Sequence, residues 1–161
     1  MAINFQSISL RPVEPEDDPF LFEVYTSSRG DDLATMGWEA EPIRTFLETQ
    51  YSAQKVFLKN DYPETDDRII MLGGERIGRI VVLRSDKEIR LVDIALIPQY
   101  RNAGLGTHLV RELMSEAARL SIPFRLQLIR SNPAVALFEQ LGLVRTGETG
   151  SHYQMEWQAK K

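Results

Sequence analysis

The stretch Asp93-Ile-Ala-Leu-Ile-Pro-Gln-Tyr-Arg101-Asn-Ala-Gly104-Leu-Gly106-Thr107 constrains the fold more than any other part of the chain. Ile89 to Ile97 is a nearly continuous apolar run, the pattern of a strand buried in the middle of a sheet. Pro98 stops it, and a short loop with two glycines follows. Leu105, Leu109, Val110, Leu113, Met114 and Ala117 then recur at helical spacing. The first amides of such a helix have no internal acceptors and lie at the positive end of its dipole. Glycines beside them let the main chain come close to a ligand. A place of this kind suits a pyrophosphate. Two nucleotide-binding loops compete for the segment, and both fail on the letters. The dinucleotide fingerprint needs a third glycine where Leu109 stands, and the phosphate loop of nucleoside triphosphatases needs Gly-Lys-Ser/Thr where Gly106-Thr107-His108 stands.

The rest of the chain supplies a sheet and three more helices. Ser7 to Leu10 reads as a first strand, and Pro15 to Pro19 opens a helix that Gly30 is expected to end. Glu41-Pro42 starts a second helix with Ile43, Phe46, Leu47, Gln50 and Phe57 along it. Arg68–Leu72 and Arg76–Leu83 flank Gly73-Gly74 as a hairpin, and Ile89–Ile97 follows. After the amphipathic helix come a strand at Phe124–Ile129, a helix from Pro133 to Leu141-Gly142, and strands at Leu143–Thr146 and His152–Trp157. The order predicts an α/β (α+β) domain whose mixed, mostly antiparallel sheet is flanked by helices. At 161 residues, one domain spanning 1–161 is expected.

Composition narrows the function classes. The net charge is -4 with scattered cations, so no basic face for nucleic acid is expected. No apolar run is long enough for a membrane span, and the start lacks a signal-peptide pattern. The absence of cysteine removes disulfides, thiolate metal sites and a thiol nucleophile, and suits a reducing cytoplasm. His108 and His152 lie too far apart for metal-ligand spacing, so no metal is expected.

Arg101, Gly104 and Gly106 match Gln/Arg-x-x-Gly-x-Gly/Ala, and here the chain resembles the GNAT superfamily of acetyl-CoA-dependent N-acetyltransferases. Asn132-Pro133-Ala134, Leu137-Phe138 and Leu141-Gly142-Leu143 resemble a second family segment. Tyr25, Arg29 and Gln50 near the start and His152 to Trp157 at the end are similar to a less studied bacterial branch. The resemblance covers nearly the whole chain and implies a GNAT-like acyl-CoA N-acyltransferase fold. It implies acetyl-CoA as cofactor, with the main chain of Ile94, Ala95 and Leu96 along the pantetheine arm. The loop Arg101, Asn102, Ala103, Gly104, Leu105, Gly106 and Thr107 would hold the pyrophosphate, with Asn132 and Phe138 also facing the cofactor. It further implies that the two early helices wall the acceptor cleft, where Tyr25, Arg29, Asp31 and Trp38 are the candidates.

Direct acetyl transfer to an amine requires loss of an ammonium proton, donors for a developing oxyanion, and an acid for the leaving thiolate. The family's usual acid is a tyrosine where this chain has Phe138, which cannot donate. Tyr153 is the substitute candidate, against an ordinary aromatic role at a strand edge. Asp93 is the candidate base, against a structural carboxylate bonded to a neighbouring strand or to an arginine such as Arg79; the letters favour the structural reading. Arg79, Arg90 and Arg125 read as sheet or ion-pair residues. Two functions follow: an acyltransferase acting on a small-molecule or peptide amine, with a homodimer left open, or a catalytically silent acyl-CoA sensor.

Overall fold

The computed structural model describes residues 3–160, apart from the side-chain settings of residues 28, 30, 31 and 32. In chain order the elements are β1 (Ile8–Pro12), α1 (Asp18–Thr35), α2 (Ala40–Asp61), β2 (Asp66–Leu72), β3 (Glu75–Arg84) and β4 (Ile89–Leu96). There follow α3 (Leu105–Leu120), β5 (Phe124–Ile129), α4 (Ala134–Gln140), β6 (Val144–Glu148) and β7 (His152–Trp157). The strands form a seven-stranded sheet ordered β1-β2-β3-β4-β5-β7-β6. Strands β1 and β2, β5 and β7, and β6 and β7 pair antiparallel, while β4 and β5 run parallel. This is the mixed, mostly antiparallel arrangement that the order of sequence patterns predicts. By packing, the chain divides into two compact units, Met1–Val81 with Asp93–Gly106, and Val82–Val92 with Thr107–Lys161.

In the first unit, Phe20, Leu21 and Val24 of α1 and Leu47, Tyr51 and Leu58 of α2 are buried. Tyr51 is the aromatic centre, with ring centroids 5.4 Å from Phe22 and 5.5 Å from Tyr25. Helix α1 does not end at Gly30 as the sequence predicts, but continues to Thr35. A glycine inside a helix costs only about 1 kcal/mol relative to alanine, too little by itself to end one. Pro12 is accommodated because β1 lies at the edge of the sheet, where a missing ladder donor is tolerated. At Gly78 a side chain has no room. A Cβ there would meet the Ala95 carbonyl and would lie 2.9 Å from Leu96 Cδ2, so its absence lets β3 and the end of β4 approach.

In the second unit, Leu109, Val110, Leu113, Met114 and Ala117 of α3 are buried with Phe124 and Leu126 of β5 and Met155 of β7. These are the positions that helical and strand spacing select. Helix α3 ends in a Schellman motif. Ser121 takes φ 56° and its N–H donates to Ala118, while the Ile122 N–H donates to Ala117. Helix α4 ends the same way, the Gly142 and Leu143 amides donating to Glu139 and Phe138. The β4–β5 ladder comprises three residue pairs, Ile89 with Phe124 through Leu91 with Leu126, whereas β5 and β7 pair over all six residues of each.

The acidic run before α1 does more than complement a helix dipole. The Asp17 carboxylate is buried, accepts two hydrogen bonds from Arg11 at 2.7 and 2.8 Å and one from Arg76 at 3.2 Å, and accepts the Glu14 amide at 2.8 Å. The Arg11 hydrogen bond, aided by the Glu14 amide and Arg76 and opposed by burial, holds this carboxyl far below its ordinary value of 3.8. Because the folded-state value is depressed, the stabilisation is complete above about pH 4 and drains away as pH falls toward that lower value. Asp17→Ala is expected to lower the unfolding free energy at pH 7 by about 2 kcal/mol, combining a lost cap with lost charged hydrogen bonds to arginines that can turn to water. Urea unfolding should show this loss shrinking at low pH.

Candidate active site

The loop between β4 and α3 is built around Arg101. Its Nε donates to the Leu96 carbonyl at 2.9 Å and its Nη2 to Ser27 Oγ at 2.8 Å, while its amide donates to Pro98 at 3.2 Å. The guanidinium is therefore spent on fixing the end of β4 against α1. What the loop leaves available is main chain. Asn102 and Gly104 sit at φ 60° and 83°, left-handed values that reverse the chain just before the helix. Among the described residues, the amides of Asn102 to Gly106 make no hydrogen bond beyond those internal to α3. A Cβ built on Gly106 meets nothing within 4 Å, so the first turn of the helix is open on that side. Unspent amides, a helix start and an unfilled side form a cradle that fits a diphosphate. Phe5, which the sequence does not single out, lies against Gly104, its Cζ 3.5 Å from where a Cβ would be. Ser27 is equally invisible in the letters; only its bond to Arg101 reveals it.

Asp93, Ile94, Ala95 and Leu96 lead into that loop, and all are half-buried. The Asp93 carboxyl itself is crowded by protein. Burial pushes its pKa above the ordinary 3.8, with Arg79, Arg29 and the Ile94 amide pulling the other way and Asp67 adding to the rise. Arg79 is buried on β3, yet its short hydrogen bonds go to Asp67, at 2.6 and 2.9 Å, leaving Asp93 to feel it through space. On the helices, Tyr51 Oη donates to Asp18 at 2.8 Å and Lys55 to the same oxygen at 3.2 Å. Arg29 lies 3.9 Å over the Tyr25 ring and donates to the Tyr25 carbonyl at 2.9 Å. Trp38 is part-exposed, edge-on to Phe46 at 5.4 Å. Asp31 lies in α1, and its side chain is outside the described residues.

Asn132, Phe138 and Tyr153 belong to the second unit. Asn132 Oδ1 accepts the Ala134 amide at 2.9 Å and so starts α4. Phe138 is buried. The Tyr153 ring lies under Arg145 at 4.2 Å and Arg130 at 5.4 Å. Arg90 pairs with Glu88, and Arg125 with Glu88 and Glu156, the ion-pair roles expected of them. His108 lies 3.2 Å from Glu112, and His152 Nδ1 2.6 Å from Ser151 Oγ. No cluster that could hold a metal ion occurs among the described residues.

The model of the Acetyltransferase (GNAT) family matches residues 31–143, and the chain belongs to that family of acetyl-CoA-dependent N-acetyltransferases. Solved structures share the fold. A PaiA N-acetyltransferase from Thermoplasma acidophilum in complex with coenzyme A is 22% identical with a TM-score of 0.69, over 95% of this chain and 99% of that one. An acetyltransferase from Thermus thermophilus is 20% identical with a TM-score of 0.67, over 99% and 100%. The ribosomal-protein-S18-alanine N-acetyltransferase from Escherichia coli is 18% identical with a TM-score of 0.62, over 94% and 93%. Among curated proteins, no relative matches the sequence.

Removing Arg79 tests the charge network around Asp93. Arg79→Met leaves Asp67 and Asp93 facing each other without their shared cation, and should cost about 3 kcal/mol of stability at neutral pH. Burial already pushes the Asp93 carboxyl above its ordinary value, and its protonation relieves that repulsion, so the loss should shrink as pH is lowered. Unfolding curves at pH 7.5 and 5.5 measure the difference.

Proposed function

We propose that residues 1–161 work as one N-acetyltransferase domain moving the acetyl group of acetyl-CoA to a primary amine, on a small molecule or a peptide, by direct attack. The observation that carries the reading is the run of unspent amides from Asn102 to Gly106, set by the left-handed Gly104 and open beside Gly106. The coenzyme A bound to the Thermoplasma acidophilum protein of the same fold supports it. When bound, acetyl-CoA supplies a thioester whose acyl carbon is already activated; the chain's own residues position it and handle protons. Main chain of Ile94 to Leu96 would lie along the pantetheine arm, the loop Arg101 to Thr107 would hold the pyrophosphate, and Asn132 and Phe138 would contact the cofactor.

Asp93 takes the ammonium proton onto a carboxyl oxygen. Its raised pKa suits this, since a base closer to neutrality both holds and releases a proton near the working pH. Phe138 has no proton to give, so Tyr153 Oη supplies the one that goes to the departing sulfur. Tyr25, Arg29, Asp31 and Trp38 lie on the acceptor side. The cytoplasm is the expected compartment, as a chain without cysteine needs no oxidising surroundings.

Isothermal titration of acetyl-CoA and CoA tests the loop. Gly106→Trp, whose side chain enters open space, should keep the unfolding midpoint and weaken binding by about 100-fold, roughly 2.7 kcal/mol. Unchanged affinity in a folded variant sinks the assignment. Thiol release against a panel of amines separates an enzyme from a silent sensor, which binds CoA and releases none. In the active enzyme, kcat/KM should rise with pH along a limb displaced upward from 3.8, because Asp93 must lose its proton to act. Asp93→Asn should remove that limb and slow turnover by about 100-fold; a limb that survives the substitution assigns the base elsewhere.

A further inference from the structure

Arg79, Arg29 and Asp67 are the charged side chains that act most on the Asp93 carboxyl. Two of them hold each other, Arg79 donating to Asp67 at 2.6 and 2.9 Å. Asp18, at the start of α1, is likewise taken, by Tyr51 at 2.8 Å and Lys55 at 3.2 Å. Arg29 is different. Among the described residues no carboxylate meets it, whereas Arg11, Arg44, Arg68, Arg76 and Arg79 of the same unit each have one. Arg101 also lacks one, but its donors go to Leu96 and Ser27. A guanidinium donates at every nitrogen, and Arg29 uses only Nη1, on the Tyr25 carbonyl at 2.9 Å. Its Nε and Nη2 keep donors to spare.

Those donors are positioned rather than loose. Arg29 lies 3.9 Å over the Tyr25 ring, which in turn packs 5.5 Å from the buried Tyr51. Two residues earlier, Ser27 accepts from Arg101, whose Nε holds the Leu96 carbonyl, so this turn of α1 is fixed beside the last residues of β4. Strand β4 stops pairing with β5 at Leu91, and Val92 to Leu96 are only half-buried although the strand lies in the middle of the sheet. Arg29 itself is exposed. An acceptor brought to Asp93 thus meets a held cation with open donors, while Asp67 and Asp18 are bonded already. A polyamine gains nothing from that arrangement. A carboxylate matches the planar fork of a guanidinium, and the stacked ring reduces the entropy lost on pairing. We infer that the acceptor is a free amino acid, its carboxylate paired with Arg29 and its amine at Asp93. This rests on the acetyl-transfer reading above and names its substrate class. The amine gives one proton to Asp93, bonds the acetyl carbon in place of sulfur and loses a second proton, while sulfur takes up one. The products are an N-acetyl amino acid, the CoA thiol and one proton. A peptide N-terminus, whose neighbouring carboxyl is tied up as an amide, lacks the group that Arg29 recognises.

Thiol release with the common amino acids, set against their carboxamides and against linear diamines, tests the inference. An α-amine beside an amide has a pKa of about 8, below that of an amine beside a carboxylate, so on reactivity alone the carboxamides would win. The wild-type chain should instead use its best amino acid with a kcat/KM about tenfold above that of the matching carboxamide. Arg29→Met, which keeps an apolar stem over Tyr25, should raise KM for that acid, lower its kcat/KM by about tenfold and erase the preference. Titration with CoA should give the wild-type affinity, showing that the cofactor loop of the variant is intact. Acids and carboxamides used alike, or diamines preferred, overturn the inference and leave the acetyltransferase reading standing. A preference for acids that survives Arg29→Met overturns it too, since the discrimination then has another source. Thiol released with no amine, by protein that binds CoA, sinks the acetyltransferase reading and this inference together.

Discussion

The Arg79 guanidinium is the cation around which the first unit is organised. Taken from water into the sheet, it has to be matched by carboxylates, and Asp67 on the neighbouring strand β2 meets it with two short bonds. Its field reaches Asp93 on β4, Asp18 at the start of α1 and, through Tyr51, helix α2. One buried charge is thus felt on three strands and two helices. It also explains why Asp93 is neither free nor fully paired. The carboxyl sits within the reach of two arginines without taking a short bond from Arg79, and burial keeps its proton affinity up.

The loop after β4 rests on a different economy, in which side chains are used to free the backbone. Arg101 would look, on charge alone, like a phosphate ligand. Instead it grips the Leu96 carbonyl and Ser27, which holds the β4 end and the turn in place. With the turn fixed, Asn102 and Gly104 can stay in left-handed conformations and present amides that nothing else claims. Main-chain donors on a rigid turn are preorganised in a way that a long flexible arginine is not. Gly78 contributes from the adjacent strand by having no side chain where the Ala95 carbonyl must pass.

The second unit handles its charges near the surface, where they contribute less. Glu88, Arg90, Arg125 and Glu156 form a connected set of ion pairs across β4, β5 and β7. Such a network aligns strands at modest net gain, since water competes for every member. The hydrophobic positions beneath it, Phe124, Leu126 and Met155, supply the burial. Tyr153, close by on β7, is flanked by two arginines, a surrounding quite unlike the enclosed carboxyl of Asp93.

Much of this is legible in the letters because it is local. The apolar run of β4, the helical spacing of α3, the Gly73-Gly74 hairpin and the Gly142 stop are short-range patterns, and each local preference agrees with the sheet that forms. The glycine loop is legible too, since main-chain conformation depends on which residues lack a Cβ. The end of α1 is not: Gly30 weakens a helix by only about 1 kcal/mol, too little to mark its end, and α1 runs on to Thr35. Nor do the letters assign partners to charges. That Asp17 is buried between Arg11 and Arg76, that Arg79 chooses Asp67 over Asp93, and that Arg101 turns to Ser27 are outcomes of which strands and helices come together. Spacing along the chain is enough to specify the family, the order of elements and the loop suited to a phosphate. Which ionised groups share a site is settled only when the strands and helices meet, because electrostatic pairing depends on distances in space that a linear order does not encode.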